Sequence, residues 1–405
     1  MKILFFGTHF PRPNNPTMAT WALSQVVALR EAGHQVQVIS PIAAIPGVVS
    51  KVLRRGTSST CPPRHRWQGI EAHYVRWPVY PVGPLARWLQ DRPDLIVQLA
   101  ARAAAGKFRG LAREFAPDII FAHVGWLAGF AAAQLARELK IPFAITEHDF
   151  ADIESCAGNR HRMEHYGAAI RSIGRWIAVA DRMSNSMRAL FPEAPIVTVH
   201  NGAEAIPQDI RDAPRPSAWV GRKTVLSVSF LYARKNVPLL IRAFDRAAAR
   251  NPDAHLIVIG DGEDKPAVLA AIASAQHRAQ IEFLGVVPHR QVIQTMVWCD
   301  VFASIGRNEP FATVFSEAMM AGKPIVYASD GGITDVVRSG VHGLGVAPND
   351  EQAAVDALHD LLENDALRTQ LGAQAAHLAS TQLTWAENAR NITRVFEQCI
   401  SEHRR

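Results

Sequence analysis

Two glutamates in the last third of the chain are the residues best suited to chemistry. Glu309 lies in a loop, GRNEPFAT, and Glu317 follows eight residues later in VFSEAMMA, whose apolar spacing predicts a helix. The first would border the loop, and the second would lie one to two turns inside the helix. Carboxylates accept paired hydrogen bonds from vicinal hydroxyls, and a helix N-terminus offers free backbone N–H groups to an anion. A diol and a phosphate together describe a sugar nucleotide.

Short apolar segments on either side predict how these glutamates are positioned. VFAS (301–304) and KPIVYAS (323–329) have the composition of buried strands, and each runs into a loop. Gly322 suits the left-handed position just past the first helix, and the loop DGG, with Gly331 and Gly332, opens a second predicted helix. Both loops therefore lie at the carboxyl edge of a parallel sheet, where α/β proteins bind ligands.

The segment NEPFATVFSEAMMAGKPIVYASDGG (308–332) resembles the donor signature of the retaining GT-B glycosyltransferases, specifically the large family 4. The resemblance covers most of the chain. It implies an α/β fold, GT-B, in which two Rossmann-like domains face each other across a cleft. We expect an acceptor-binding domain over 1–205, a sugar-nucleotide-binding domain over 206–383, and a terminal helix (384–405) that returns to the N-terminal domain.

The family also implies roles for residues of the C-terminal half. The residue that matches Glu317 holds the nucleotide ribose, and the one that matches Glu309 holds hydroxyls of the transferred sugar, so Glu309 is predicted to be catalytic. Lys235 matches a lysine that neutralises the donor diphosphate. Phe230 stands where the family has an arginine, and Arg234 is the candidate to replace it. The other predicted donor-binding residues are the backbone groups of Phe311, Ala312 and Thr313, and the glycines Gly260 and Gly262, where missing side chains allow a ligand to approach closely.

The N-terminal half opens with a predicted strand (2–7), helix (18–33) and strand (34–41), which resembles the start of family 4 enzymes. Where many members have a Gly-Gly pair in the first loop, this chain has Asn14 and Asn15. His123 follows the predicted strand DIIFA, and His148 follows PFAIT, so both face one sheet edge. The resemblance implies that His123 lies beside the reacting centre and is catalytic. The residues predicted on the acceptor side are His148, Asp149 and Asn15.

No metal or other cofactor is expected. The sequence has no Asp-x-Asp pair at a strand end, so side-chain cations and helix dipoles would stabilise the diphosphate instead. His161 and His165 have a spacing that could hold a metal, but no third ligand follows the zinc pattern, and we interpret the pair as surface residues. The four cysteines are scattered, which is typical of free thiols in a reducing cytosol.

Charge is concentrated in one segment. The net charge is +6, yet residues 51–113 alone carry 12 basic and 3 acidic residues. This pattern favours contact with an anionic membrane surface or an anionic acceptor, with an ordinary solvated arginine-rich face as the alternative. No nucleic-acid motif accompanies it, so no nucleic-acid partner is predicted. The aromatic residues that alternate with its arginines are Trp67, Tyr74, Trp77, Tyr80 and Trp88.

The predicted location is cytoplasmic, peripheral at the inner face of the membrane. No apolar run approaches the ~20 residues that span a bilayer, and MKILFFG reads as a first strand and not as a signal peptide. The predicted function is metal-independent, retaining transfer of a sugar from a nucleotide sugar to a saccharide or lipid-linked saccharide, in bacterial surface polysaccharide synthesis. Two alternatives share the fold. One is a non-catalytic protein that binds a nucleotide or partner, motivated by Phe230, Pro310, Ala312 and the missing Gly-Gly pair, and the other is a sugar-nucleotide epimerase.

Overall fold

Apolar strands alternate with helices along most of the chain; β3 (Arg64–Trp67) is a polar exception that is followed directly by β4 (Ile70–Trp77). The structure is a computed structural model and describes residues 1–16, 18–43, 61–77, 92–154, 156, 159–170 and 174–404. Within it the chain forms two units, each with its own hydrophobic core. Unit 1 comprises Met1–His200 and Trp385–Arg405, and unit 2 comprises Asn201–Thr384.

Unit 1 is built on an eight-stranded sheet in the order β3-β4-β2-β1-β5-β6-β7-β8. All neighbours are parallel except β3 and β4, which form an antiparallel pair. The central strand is an almost unbroken apolar run because a parallel sheet is covered by helices on both faces. The strands are β1 (Lys2–Gly7), β2 (Gln35–Ala43), β3 (Arg64–Trp67), β4 (Ile70–Trp77), β5 (Ile119–His123), β6 (Phe143–Glu147), β7 (Arg175–Ala178) and β8 (Ile196–Thr198).

The last helix of the chain completes the core of unit 1. Phe396 of this helix is fully buried and packs edge-on against Phe121 of β5, with 5.0 Å between the ring centroids. Burying a side chain of this size contributes about 1.5–3 kcal/mol. The helices are α1 (Thr20–Glu31), α2 (Pro93–Phe115), α3 (Phe130–Leu139), α4 (Phe150–Glu154), α5 (Arg160–Ile170), α6 (Asp181–Leu190) and the terminal helix α14 (Trp385–His403).

Unit 2 is built on a six-stranded, wholly parallel sheet in the order β11-β10-β9-β12-β13-β14. This is the doubly wound order of a Rossmann fold, because the sheet grows outward in both directions from β9 and β12. The elements are β9 (Lys223–Val228), β10 (Ala254–Ile259), β11 (Ile281–Gly285), β12 (Val301–Ser304), β13 (Ile325–Ala328), β14 (Gly343–Val346), α7 (Gln208–Arg211), α8 (Val237–Ala248), α9 (Lys265–Ser274), α10 (His289–Trp298), α11 (Thr313–Met320), α12 (Glu351–Glu363) and α13 (Asp365–Gln382).

Each sheet has a topological switch point, where the strand order reverses and a crevice forms at the carboxyl ends of the strands. In unit 1 it lies between β1 and β5, and in unit 2 it lies between β9 and β12. The residues after those strands are therefore placed where a ligand can reach several loops at once.

One predicted element is wrong. The segment after DGG forms only a single 3₁₀ turn, Gly332–Asp335, because five residues later the chain turns again at Gly340, whose φ is +77°, and enters β14. By contrast, Gly322 has φ +74° at the end of α11, which confirms its predicted left-handed conformation. His123 is the last residue of β5 and not the first of the following loop.

The aromatic part of the basic segment is also different from the prediction. Tyr74 and Trp77 of β4 are 5% and 1% exposed and belong to the core of unit 1. The Tyr74 hydroxyl accepts a hydrogen bond from Trp67 Nε1 (2.8 Å) and donates to the Pro11 carbonyl (2.5 Å). Burial raises the pKa of Tyr74 to about 12. Because Tyr74 and Trp77 are buried in the core, their side chains cannot enter a headgroup region. Tyr80 and Trp88 lie outside the described residues.

Among the helices that the structure describes, none combines the length and apolar character needed to cross a bilayer.

Candidate functional site

Two cations and a carboxylate meet at the switch point of unit 2. Arg234 and Lys235 lie in a 3₁₀ turn after β9, and Glu309 lies in the loop that connects β12 to α11. Arg234 Nη1 is 3.0 Å from Glu309 Oε1, and Lys235 Nζ is 2.7 Å from Glu309 Oε2. The Glu309 side chain is 4% exposed and Lys235 is 13% exposed, so their ion pair is largely shielded from water, whereas Arg234 is 38% exposed. The structure thus brings together three residues that the sequence predicted as site residues.

A glycine that the sequence reasoning missed makes room for this carboxylate. A Cβ atom on Gly306 would lie 2.7 Å from Glu309 Oε1 and 3.2 Å from the Lys235 Cα atom. The backbone of the loop is held from the other side, because Gly332 N–H donates to the Glu309 carbonyl at 2.7 Å. The signal was present in the sequence as SIGRNEP, in which a glycine opens the predicted site loop directly after a buried strand.

Phe230, which stands at the position of the family arginine, lies on the surface of unit 2. Its ring is 73% exposed and stacks on Tyr232, with 6.3 Å between centroids and 28° between planes. The guanidinium of Arg234, four residues further on, bonds Glu309 directly. That Arg234 supplies the charge that Phe230 lacks remains a prediction.

The start of α11 lies beside this cluster. Phe311 is buried, Ala312 is the N-cap residue, and Thr313 is the first residue of the helix. The first backbone N–H groups of a helix have no partner within it, so they can donate to an anion. The switch point therefore offers donors of two kinds, the backbone N–H groups at the start of α11 and the two side-chain cations of the turn after β9.

Glu317 lies in the second turn of α11 and has a partner that the sequence reasoning did not identify. His289, the first residue of α10, places Nε2 at 3.0 Å from Glu317 Oε1. The hydrogen bond to Glu317 raises the pKa of His289, against the opposing effect of burial. The carboxylate is 19% exposed, so it remains accessible to a ligand.

Close backbone packing explains why residues 260 and 262 are glycines, without any ligand. A Cβ atom on Gly260 would lie 1.9 Å from the Ser229 carbonyl oxygen, and one on Gly262 would lie 2.3 Å from the Leu231 carbonyl oxygen. The glycines let this loop pack against the backbone that follows β9. Their predicted contact with the donor remains a prediction.

In unit 1, a cluster of aromatic rings surrounds His123 at the end of β5. The ring is fully buried and lies parallel to Trp21, with 5.1 Å between centroids and 6° between planes. His148 is 4.8 Å from it, and Phe5 contacts it edge-on at 4.4 Å. Burial, followed by the charges of His148 and His9, holds the pKa of His123 well below its usual 6.5. The imidazole is therefore neutral at pH 7.

The other predicted acceptor-side residues, and the histidine pair of α5, differ in their surroundings. Burial is the main cause that lowers the pKa of His148 to about 3. Asp149 follows it and is exposed. Asn15 forms a tight turn with Arg12, whose carbonyl accepts the Asn15 N–H at 2.8 Å. His161 and His165 lie in α5, but their side chains are outside the described part of the chain.

Solved structures with this fold cover almost the entire chain. Sucrose-phosphate synthase from Thermosynechococcus elongatus aligns over 99% of both chains with a TM-score of 0.76 and 17% identity. The Anabaena protein HepE in complex with UDP aligns over 98% of this chain and 100% of its own, with a TM-score of 0.71 and 20% identity. The fold class is therefore α/β, GT-B.

Family models identify the chain more closely. The model described as "Glycosyl transferase 4-like domain" matches residues 17–202, and the model described as "Glycosyl transferases group 1" matches residues 209–378. A D-inositol 3-phosphate glycosyltransferase from Xylanimonas cellulosilytica is 26% identical over 97% of this chain and 98% of its own. The chain belongs to the group 1 glycosyl transferases, and it is a glycosyltransferase.

Proposed function

We propose that this glycosyltransferase moves a hexose from a nucleoside diphosphate sugar to a saccharide or lipid-linked saccharide, with retention of configuration and without a metal ion. The observation that carries the proposal is the Glu309 carboxylate, held in a buried position between Arg234 and Lys235 at the switch point of unit 2. The cations have the charge that a diphosphate needs, and the carboxylate can accept bonds from sugar hydroxyls. The solved complexes of HepE with UDP and with UDP-glucose support this class of donor.

The roles within the site follow from its charges. A diphosphate leaving group gains negative charge as the glycosidic bond breaks, and fixed cations stabilise that charge best when they need no reorganisation. Lys235 and Arg234 are already fixed by Glu309, so we assign them to the diphosphate. Glu317 would accept bonds from the ribose hydroxyls, and the N-terminus of α11 would donate to phosphate or sugar oxygens. These fixed cations support transfer without a bridging metal.

A panel of nucleotide sugars tests the proposal. A ligand that binds only the folded state raises the melting temperature, by an amount that grows with its concentration over Kd. We expect a shift with one class of UDP-, GDP- or other nucleotide sugar, and slow release of free nucleotide when that donor is incubated alone. An isomerised sugar nucleotide as the product would instead identify the chain as an epimerase. The absence of both binding and turnover across the panel would contradict the proposal.

The His289–Glu317 pair predicts a pH dependence of donor binding. Because the folded pKa of His289 is raised, the histidine is cationic below about 6.5 and loses its proton only as the pH rises above that value. The cation holds Glu317 more tightly than the neutral ring does, so it competes with the ribose. We expect KM for the donor to fall a few-fold between pH 6 and pH 8.5, with kcat nearly unchanged. KM of His289→Gln should be independent of pH over this range, and an unchanged slope in that variant would refute the assignment.

Exposed arginines of unit 1 are the basis for proposing a lipid-linked acceptor, as in surface polysaccharide synthesis. Although Tyr74 and Trp77 are core residues, helix α2 presents Arg102, Arg109 and Arg113 to solvent. Arg109 pairs with Glu138 at 2.7 Å, which leaves the other two as the more available charges. Anionic lipid attracts such residues by about 1 kcal/mol each.

Co-sedimentation with vesicles tests this surface. We expect binding to vesicles that contain phosphatidylglycerol at low salt, and release near 0.5 M salt because the screening length falls below about 8 Å. Arg113→Glu should weaken binding roughly tenfold, since it removes one favourable charge and adds a repulsive one. Arg250→Glu makes the same charge change on an exposed residue of unit 2 and should bind as the wild type does. Equal losses in both variants would show an effect of net charge alone.

A further inference from the structure

A chain of buried hydrogen bonds connects His123 to the terminal helix of the protein. His123 Nε2 is 2.5 Å from Gln25 Oε1, and Gln25 Nε2 is 2.8 Å from Asn388 Oδ1. The chain ends where Asn388 Nδ2 donates to the backbone carbonyl of His200 at 2.7 Å. Gln25 and Asn388 are 1% and 3% exposed, so neither amide can exchange its partners for water.

The final carbonyl fixes the direction of every bond in this chain. A backbone carbonyl only accepts, so Asn388 must present its NH₂ group to His200 and its oxygen to Gln25. Gln25 must then donate to Asn388 through Nε2, which leaves Oε1 to accept from His123. Rotating the Gln25 amide would force Asn388 to rotate as well and would place its oxygen against the His200 carbonyl, two acceptors facing each other. The observed orientation is therefore the one in which all three bonds form.

This direction determines which nitrogen of His123 carries the proton. Because Gln25 Oε1 accepts, His123 Nε2 must be the N–H group, and in a neutral imidazole the other nitrogen is then an acceptor. Turning the ring by 180° would place Cε1–H and not a nitrogen opposite Gln25 Oε1, so the hydrogen bond to Gln25 also fixes which edge of the ring faces the amide. His123 Nδ1 is buried and has no hydrogen-bond partner among the described residues. The second nitrogen of the ring is therefore an acceptor whose hydrogen-bonding capacity is not met within this part of the chain.

We propose that Gln25 and Asn388 are positioning residues that hold His123, the predicted catalytic histidine, as the Nε2–H tautomer, with Nδ1 as the hydrogen-bond acceptor of the ring. The consequence for sugar transfer rests on the proposed transferase function. The part that concerns the tautomer rests only on the hydrogen bonds of unit 1. Neither amide touches the substrate in this scheme, because both act through the imidazole.

The tautomer can be measured without a substrate. Long-range ¹H–¹⁵N spectra of histidine-labelled protein distinguish protonated from unprotonated ring nitrogens, and His123→Asn identifies the signals of His123. We expect Nε2 protonated and Nδ1 unprotonated at pH 7 in the wild type. In Gln25→Leu the acceptor is lost, so both tautomers should be populated and kcat should fall roughly tenfold, the loss expected for one misdirected hydrogen bond. Gln25→Glu places a second acceptor against Asn388 Oδ1 and a negative charge beside the imidazole, so both nitrogens of His123 should then be protonated more readily than in the wild type.

A matched control separates positioning from general docking of the terminal helix. Thr393 of α14 forms a hydrogen bond with His34, with 2.8 Å between Oγ1 and Nε2. This bond also joins the terminal helix to unit 1, but it does not involve His123. Thr393→Val should leave the His123 signals and kcat unchanged. The proposal is overturned if wild-type His123 carries its proton on Nδ1, or if Thr393→Val changes the spectrum as Gln25→Leu does. Where Gln25→Leu fails to fold, Asn388→Leu provides the comparison, because it removes the acceptor that fixes the orientation of the Gln25 amide. Absence of any transfer by the wild type would count against the proposed function, while the spectrum alone decides the tautomer.

Discussion

Replacing Glu309 by Gln is expected to lower kcat/KM at least about 10²-fold. The change keeps the size of the side chain but removes the charge that holds Arg234 and Lys235, which lie 3.0 and 2.7 Å away. Hydrogen bonds to a charged group are worth about 1.5–3 kcal/mol each, and every 1.4 kcal/mol is tenfold in rate. The proposed sugar contact and the fixed cations would be lost together. Initial rates with the donor found in the nucleotide-sugar panel provide the measurement.

Glu351 offers a closely matched control in the same unit. It also joins two cations, Arg242 at 2.8 Å and Arg246 at 3.5 Å, but it does so on the exposed surface where α8 meets α12. Glu351→Gln should therefore have nearly wild-type kinetics and a melting temperature changed only slightly, since exposed pairs contribute about 0–1 kcal/mol. Transfer by Glu309→Gln at the wild-type rate would refute the role assigned to Glu309.

Replacing Lys235 by Met is expected to lower kcat by roughly 10²–10³-fold, the usual cost of removing one preorganised stabiliser of transition-state charge. Methionine keeps much of the length of the side chain, so the loss of charge dominates. Lys235 is 13% exposed, and its charge is therefore less screened than that of a surface lysine. Because the leaving diphosphate gains charge during the reaction, kcat should fall more than the affinity for the donor does.

Lys265 tests whether any nearby lysine would have the same effect. It pairs with Asp261 at 3.4 Å in the loop after β10, and its side chain is 40% exposed. Lys265→Met should change kcat less than twofold. A Lys235→Met variant that binds donor weakly but turns over normally would show that the lysine contributes to ground-state binding only.

Much of the fold followed from the sequence because buried parallel strands are short apolar runs that end in glycine or polar loops. VFAS and KPIVYAS were predicted to be strands for this reason, and β12 and β13 confirm them. The error after DGG has a local cause, since ITDVV is too short to extend a helix before the turn at Gly340. Composition also gave a wrong prediction for Tyr74 and Trp77, which were expected at a membrane surface but are buried. An aromatic residue that alternates with arginines is equally compatible with a strand that has one buried face.

The partners of the predicted site residues were harder to predict. Glu309 and Lys235 are 74 residues apart, and only the strand order of the sheet brings the loops after β9 and β12 together. Gln25, 98 residues from His123, lies within an apolar helix where its position predicts burial but not a partner. His289 has no local pattern that points to Glu317. Such pairs depend on tertiary structure, which a single sequence does not encode in its periodicity.

The chain leaves unit 1 at His200 and re-enters it at Trp385, so unit 2 is an insertion within a discontinuous domain. A fragment that ends at residue 200 would therefore expose the cavity that Phe396 fills and would lack the amide of Asn388. We expect it to aggregate or to require the peptide 385–405 added in trans. Residues 201–384, by contrast, form one uninterrupted segment with a complete sheet. A circular permutant that joins residue 405 to residue 1 and opens the chain after residue 200 would make both units contiguous. Unit 2 would come first, and unit 1 would follow as one uninterrupted segment.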